Sequence, residues 1–250
     1  MPMPGDPGYA AKAASTLASS VAAAVDAVRS RLAAACIRSG RDPASVALLA
    51  VTKFNPPEAV DAAYAAGVRL FGENRVQEAE SKFAARAERY PGSFVHLLGH
   101  LQSNKARRAV ELFDCVQSVD STRILEELGR RAEAAGKTFD VLFELHTGEE
   151  SKSGFPDADS LLAALDSLGA CPALVARGVM TMAPYTDDMD AVRASFRACR
   201  AAYEAARERR DLPRFDILSM GMTNDFEVAV EEGSTMVRIG TAIFGPRTVA

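Results

Sequence analysis

Short apolar segments alternate with longer helical segments along almost the whole chain, and this alternation limits the folds available to it. The apolar runs are continuous, as in parallel strands that are buried on both faces. We predict eight strands, at residues 46–51, 68–71, 94–98, 115–119, 139–145, 174–180, 215–219 and 236–239. Helical patterns lie between them, at residues 56–67, 75–89, 104–112, 122–135, 158–168, 188–210 and 225–232. Strict alternation of this kind predicts a parallel sheet with right-handed crossovers.

A long helix is predicted before the first strand. Apolar residues recur three and four positions apart there, at Leu17, Val21, Val25, Val28, Leu32 and Cys36, and the pattern ends near Gly40. Eight strand–helix units in 250 residues are the size of a (β/α)8 barrel. We therefore predict an α/β fold: a single (β/α)8 barrel of the TIM type with an extra N-terminal helix, over residues 14–250. Residues 1–13, rich in Pro, Gly and Ala, are predicted to be a disordered tail.

An open, doubly wound sheet is the alternative architecture. Such sheets usually have fewer strands, and a Gly-rich nucleotide loop often follows the first one. In this chain the first predicted strand runs into Thr52, Lys53, Phe54 and Asn55, with no glycine, and no G-x-G-x-x-G or P-loop motif occurs anywhere. These features favour the barrel.

Composition excludes several functional classes. With 33 acidic and 29 basic residues the formal net charge is −4, which argues against electrostatic binding of nucleic acid. No apolar run is long enough to span a bilayer, and the N-terminal residues lack the pattern of a secretory signal. The four cysteines are scattered without a Cys-x-x-Cys pair, which argues against a disulfide framework and suits a reducing compartment. We therefore predict a cytoplasmic protein that binds neither membranes nor nucleic acid.

The barrel fold directs attention to residues that follow the strands, because active groups lie at the C-terminal ends of barrel strands. Lys53 comes directly after the first apolar strand. Desolvation disfavours the charged form of a lysine, and a free amine can form a Schiff base with an aldehyde. A solvated lysine at a strand end is the simpler alternative from this residue alone.

Two segments near the C-terminus have the composition of a phosphate site. Barrels frequently bind phosphate with the loops after strands seven and eight, where this chain has Ser219, Gly221, Gly240 and Thr241. Glycine lets the backbone approach an anion, and hydroxyl and N–H groups donate hydrogen bonds to it. Ordinary turn chemistry is the alternative. An amine and a phosphate site together suit pyridoxal 5′-phosphate (PLP), or a sugar phosphate in aldolase chemistry.

Several segments together resemble the PLP homeostasis protein family. They are LAVTK at 49–53, FGEN at 71–74 with QE at 77–78, HLLGHLQSNK at 96–105, SKSG at 151–154, RGVM at 177–180, SMGM at 219–222 and GSTMVRIGTAIFG at 233–245. The resemblance covers nearly the whole chain after the tail. It implies a fold similar to the N-terminal barrel of alanine racemase.

The resemblance also implies roles for single residues. Lys53 would carry PLP as a Schiff base, and Arg238 would face the pyridine nitrogen. The phosphate would be held by Ser219, Gly240 and Thr241. Asn74 would form a wall of the pocket, and Gly221 would be a further cofactor-binding residue. This chain departs from the family pattern at Thr52, where serine is common, at His100, where proline is common, and at the pair Thr223–Asn224, which replaces a serine-containing pair. These departures leave the lysine unchanged.

A cation beside the pyridine nitrogen would keep that nitrogen unprotonated and weaken the ring as an electron sink. Racemases compensate with placed acid and base groups, one of which alanine racemase takes from a second domain. Since the predicted eighth strand ends close to the end of the sequence, no such domain is expected. We therefore expect a monomer with no catalytic residues, which holds PLP and supplies it to apo-enzymes. A small PLP-dependent amino-acid racemase is the alternative function.

A metal site is not predicted. His96 and His100 are four residues apart, a spacing that suits zinc on a helix. Here they fall on and just after a predicted strand, without a third ligand. Cys115, in another predicted strand, is interpreted as a buried apolar residue and not as a nucleophile.

Overall fold

Eight parallel strands close into a barrel in chain order in the computed structural model, which describes residues 7–148, 153–209 and 212–246. The strands are β1 (Ala47–Val51), β2 (Leu70–Glu73), β3 (Phe94–Leu97), β4 (Cys115–Val119), β5 (Phe139–Glu144), β6 (Leu174–Met180), β7 (Ile217–Ser219) and β8 (Met236–Ile239). β8 pairs with β1, where Leu49 lies opposite Arg238, so the sheet has no open edge. The predicted barrel is confirmed.

Helices surround the barrel. They are α1 (Pro7–Arg38), α2 (Pro57–Ala65), α3 (Val76–Phe83), α4 (Arg86–Arg89), α5 (Ala106–Leu112), α6 (Thr122–Ala134), α7 (Ala158–Asp166), α8 (Met189–Arg209), α9 (Phe226–Glu231) and α10 (Thr241–Phe244). Short 3₁₀ turns occupy Pro43–Ser45, Ser103–Lys105 and Ser167–Ala170. No helix among the described residues has the length and apolar character that crossing a membrane requires.

The N-terminal helix starts earlier than the sequence analysis expects. We predicted a disordered tail over residues 1–13, but α1 begins at Pro7, and residues 1–6 lie outside the described part of the chain. The difference follows from alanine, which has the highest helix propensity, and from a proline that is well tolerated in the first turn. The predicted apolar stripe is confirmed, because Val21, Val25, Val28, Leu32 and Cys36 are all buried.

Other element boundaries also differ from the predictions by one or two residues, and one predicted helix is divided. β2 begins two residues later than predicted, because the N–H of Val68 bonds to the carbonyl of Ala63 in the cap that ends α2. β7 also begins two residues late, since Phe215 bonds back to Leu212 in a turn. The helix predicted over residues 75–89 is divided into α3 and α4.

The two faces of β1 have different surroundings, and this determines where the residues after it lie. Leu49 and Val51 belong to an apolar cluster inside the barrel with Leu98 and Met236. Ala50 belongs instead to the core between the sheet and the helices. Because side chains alternate along a strand, Lys53 continues the inner face at the C-terminal end of the barrel.

Candidate functional site

Lys53 lines a cavity at the C-terminal ends of β1 and β8. The side chain is half-buried, and the cavity of about 120 Å³ also has Gly240 and Thr241 in its lining. That volume is the space of about four water molecules, which suits a small group such as a phosphate. The structure therefore brings together three of the residues predicted for the site.

The turn after β8 approaches β1 closely. A Cβ atom on Gly240 would lie 3.4 Å from the carbonyl oxygen of Val51, at ordinary van der Waals distance, so the turn packs directly on the end of β1. The backbone N–H of Ala242 donates to the hydroxyl of Thr223, with 3.3 Å between the two atoms. The loop after β7 therefore meets the first turn of α10 beside the cavity. In the sequence Thr223 differs from the family pattern, but nothing in its spacing predicts this contact.

Ser219 lies deeper, in the barrel interior. It is fully buried, and its hydroxyl donates to Oε1 of Gln117 at 2.7 Å. The same hydroxyl accepts a hydrogen bond from Nη1 of Arg238 at 2.8 Å. The structure thus joins Ser219 to Arg238, whereas the phosphate role predicted for Ser219 stays a prediction.

Arg238 projects from β8 into the barrel and is 4% exposed. Its guanidinium donates to the carbonyl of Ser219 at 2.8 Å and to that of Thr181 at 2.7 Å. A buried charge is costly unless polar groups surround it, and these carbonyls supply them. Burial raises the pKa of the nearby Asp225 carboxyl, and the charge of Arg238 opposes that rise. The guanidinium is therefore a fixed cation on the inner face of the barrel.

A polar chain continues from Ser219 across the barrel. The Nε2 of Gln117 lies 2.8 Å from Nδ1 of His96. Burial lowers the pKa of His96 to about 4, so its ring is neutral at neutral pH and Nδ1 accepts the amide hydrogen. That bond turns the amide oxygen of Gln117 towards Ser219.

The two histidines that lie four residues apart, His96 and His100, are in different environments. His96 lies inside the barrel, whereas His100 is at the mouth, with its Nδ1 2.7 Å from Asp120. Among the described residues, no group of three or more His, Cys, Asp or Glu side chains is placed to hold a metal ion. Cys115 is buried, as predicted, and burial raises the pKa of its thiol well above the ordinary value.

Neither Gly221 nor Asn74 is in the lining of the cavity with Lys53, and the cofactor-binding roles predicted for them stay predictions. Gly221 has φ +95°, and a Cβ atom there would lie 2.6 Å from the Cβ of Ala229 in α9, so close packing explains the glycine. Asn74 is half-buried after β2, and its backbone touches Gly99. The SKSG motif begins at Ser151, which lies outside the described residues, as does Lys152.

A larger cavity of about 530 Å³ lies at the other end of the barrel, where β1 and β2 begin. Arg29 of α1 and Arg69 before β2 are in its lining, together with apolar residues such as Leu48. It is remote from Lys53, and barrels of this fold carry their chemistry at the opposite end.

Residues 24–248 match the family model of the alanine racemase N-terminal domain. The pyridoxal phosphate homeostasis protein of Vibrio alginolyticus is 41% identical over 213 residues, which cover 84% of this chain and 90% of that protein. This chain belongs to the pyridoxal phosphate homeostasis protein family. The relatives compared at 36–41% identity carry that same name, including the protein of Escherichia coli K12.

Solved structures of related proteins share the barrel. PipY of Synechococcus elongatus PCC7942, solved with PLP bound, is 40% identical and superposes with a TM-score of 0.75, covering 87% of this chain and all of PipY. Alanine racemase of Streptomyces coelicolor A3(2) is 22% identical with a TM-score of 0.70, and the match covers 91% of this chain and 58% of the racemase. The racemase comparison shows a common fold.

Proposed function

We propose that this chain takes part in PLP homeostasis by holding PLP as a Schiff base on Lys53 and supplying it to apo-enzymes. The observation that carries the proposal is that Lys53 lines one cavity with Gly240 and Thr241. An amine and a phosphate-sized space thus occur side by side. The relatives named as PLP homeostasis proteins, and PipY with its bound PLP, support the choice of ligand.

The residues around the cavity fit both the aldehyde and the phosphate of PLP. Lys53 supplies the amine, Gly240 and Thr241 supply backbone and hydroxyl donors, and Thr223 lies against the same turn. PLP supplies an aldehyde to the amine and an electron-withdrawing ring. The four cysteines are buried and free, which suits the reducing cytoplasm that we propose as the site of action.

Arg238 supports a holding role without efficient turnover. A guanidinium stays charged at any physiological pH, and this one lies on the inner face of the barrel. A pyridine nitrogen that accepts a hydrogen bond from it stays unprotonated. Arg238 would thus keep the ring in the form that is the weaker electron sink. A small PLP-dependent racemase, which the shared fold also allows, is the second candidate function.

Borohydride reduction tests the proposal. Purified protein is incubated with PLP, reduced, digested and mapped by mass spectrometry. We expect one PLP adduct, on Lys53, and loss of both the adduct and the visible absorption in Lys53→Ala. Lys137→Ala is the matched control: burial lowers the pKa of Lys137, and its amine lies over the Phe139 ring at the start of β5, outside the cavity that Lys53 lines. Adducts spread over several lysines, or an unlabelled protein, would overturn the proposal.

The same preparation separates holding from turnover. Loaded protein is mixed with an apo-PLP-enzyme, whose recovered activity reports transfer, and separately with L-alanine. We expect transfer without racemisation. Robust racemisation that Lys53→Ala abolishes would favour the racemase instead.

A further inference from the structure

The peptide groups on both sides of Lys53 are bonded to side chains of helix α3. Lys82 donates from Nζ to the carbonyl oxygen of Thr52 at 2.7 Å. Glu78 accepts a hydrogen bond from the backbone N–H of Phe54. The two side chains also pair with each other, with 2.8 Å between Nζ and Oε1. We call this pair, Glu78 and Lys82, the clamp.

The ammonium group of Lys82 is buried, and all three of its N–H donors are hydrogen-bonded. Lys82 is 4% exposed, and besides Thr52 and Glu78 it bonds to Oε1 of Glu73 at 2.8 Å. An ammonium has three N–H donors, so each of them has an acceptor. Thr52 also donates from its hydroxyl to Glu73, at 2.6 Å. Moving this buried charge away from its acceptors would cost free energy, so the positions of its hydrogen bonds are well fixed.

The turn that carries Lys53 is strained. Phe54 has φ +64°, the one positive value of a residue other than glycine in the described part of the chain. That conformation is unfavourable for a residue with a Cβ atom and persists where the surroundings impose it. Its side chain is 59% exposed, so packing contributes little, whereas its N–H is held by Glu78. The N–H of Asn55 closes the turn on Thr52.

We propose that Glu78 and Lys82 are positioning residues, which hold the turn at residues 52–55 so that the amine of Lys53 enters the cavity. This inference rests on the proposed function, because it assigns the clamp a role in the reaction of Lys53 with PLP. The clamp touches the backbone beside Lys53 and not the phosphate end of the cavity. It therefore acts on the bond to the amine more than on binding of the phosphate.

Substitutions at Glu78 test the clamp. Glu78→Ala removes the acceptor of the Phe54 N–H, whereas Glu78→Gln keeps an amide oxygen in its place. We expect Glu78→Ala to weaken Schiff-base formation about tenfold, the size expected for one lost hydrogen bond to a charged group. Glu78→Gln should recover most of that loss. Glu80→Gln is the matched control, since Glu80 lies on the same helix but pairs with Arg108.

Two further readouts separate positioning from general damage. Amide hydrogen exchange of Phe54 in PLP-free protein should accelerate in Glu78→Ala and stay slow in Glu78→Gln. Pyridoxine 5′-phosphate, which lacks the aldehyde, should bind every variant as it binds the wild type. If Glu78→Ala does not fold, Glu78→Met replaces it, with similar length and no oxygen acceptor.

The results distinguish a failure of the proposed function from a failure of the proposed role of the clamp. A wild-type protein that forms no adduct on Lys53 overturns the proposed function. The role of the clamp is overturned if the wild type is labelled on Lys53, Glu78→Ala reacts equally well and the exchange rate of the Phe54 amide is unchanged. Equal loss of PLP and pyridoxine 5′-phosphate binding in Glu78→Ala also overturns it, because the damage then extends to the whole cavity.

Discussion

At the scale of single residues, burial sets the protonation of His96. Its folded pKa is about 4, against an ordinary value of 6.5. Between those values the unfolded chain binds a proton that the folded chain does not, so the free energy of unfolding decreases as pH falls through this window. The pKa difference corresponds to a loss of up to about 3 kcal/mol by pH 4.

Replacing the ring removes this pH dependence. Asparagine offers an oxygen near the position of Nδ1, so His96→Asn keeps an acceptor for Gln117 without a titrating ring. We expect its free energy of unfolding to fall less between pH 6.5 and 4.5 than that of the wild type. Urea denaturation at several pH values measures both slopes, with His100→Asn at the exposed mouth as the control. Parallel slopes in wild type and His96→Asn contradict the prediction.

A residue's place in the candidate site could be predicted only where the neighbouring sequence indicates it. The position of Lys53 at the C-terminal end of the barrel was predictable because a strand end is visible in the sequence. The contacts of Ser219 and Thr223 were not predictable, since only the folded loops show that Ser219 bonds to Arg238 and Thr223 to Ala242. The clamp was also missed. Its i,i+4 spacing is typical of a surface ion pair, and the burial of Lys82 beside Thr52 and Glu73 depends on long-range packing.

At the scale of elements, the packing of α9 on the end of β7 requires Gly221. Its missing Cβ would lie 2.6 Å from the Cβ of Ala229 and 2.9 Å from the Cα of Phe226. We expect Gly221→Ala to lower the free energy of unfolding by about 2–4 kcal/mol, from overpacking added to backbone strain. Gly136→Ala is the matched control, because Gly136 also has a positive φ, +63°, but nothing within 4 Å of its Cβ position. It should lose only about 1–2 kcal/mol.

A second substitution separates the two causes. Ala229→Gly removes the nearer of the clashing atoms and leaves φ unchanged, so the double variant should recover part of the loss caused by Gly221→Ala. Thermal or urea unfolding of the four proteins gives the coupling energy. If the losses in the free energy of unfolding are additive, Ala229 does not clash with the new methyl group. If Gly221→Ala and Gly136→Ala lose the same free energy, backbone strain alone explains the loss.

At the scale of the whole molecule, the barrel was predictable because burial on both faces leaves a continuous apolar signal in each strand. The boundaries were less predictable. Val68 is apolar and reads as the start of a strand, yet its N–H is used in the cap of α2. Likewise Pro7 and the alanines after it read as a tail but extend α1. In each case a hydrogen bond or a helix propensity outweighs the hydrophobic pattern.

The surface of the molecule predicts a monomer. Among the described residues, the exposed large apolar side chains are Ile37, Phe54, Phe94, Tyr185 and Met189. Phe94 begins β3 at one end of the barrel, whereas Phe54 follows β1 and Tyr185 follows β6 at the other. Stable homodimers bury apolar patches that are continuous and usually exceed about 2,000 Å² in total. Isolated side chains at opposite ends do not form such a patch.

Sedimentation equilibrium at increasing protein concentration measures the outcome. We expect a constant mass near 26.6 kDa, that of one chain. Phe94→Glu and Tyr185→Glu, one at each end of the barrel, should leave that mass unchanged. A dimer that either substitution dissociates would show that the substituted residue lies in an interface, and the other variant would show whether that interface involves one end of the barrel or both.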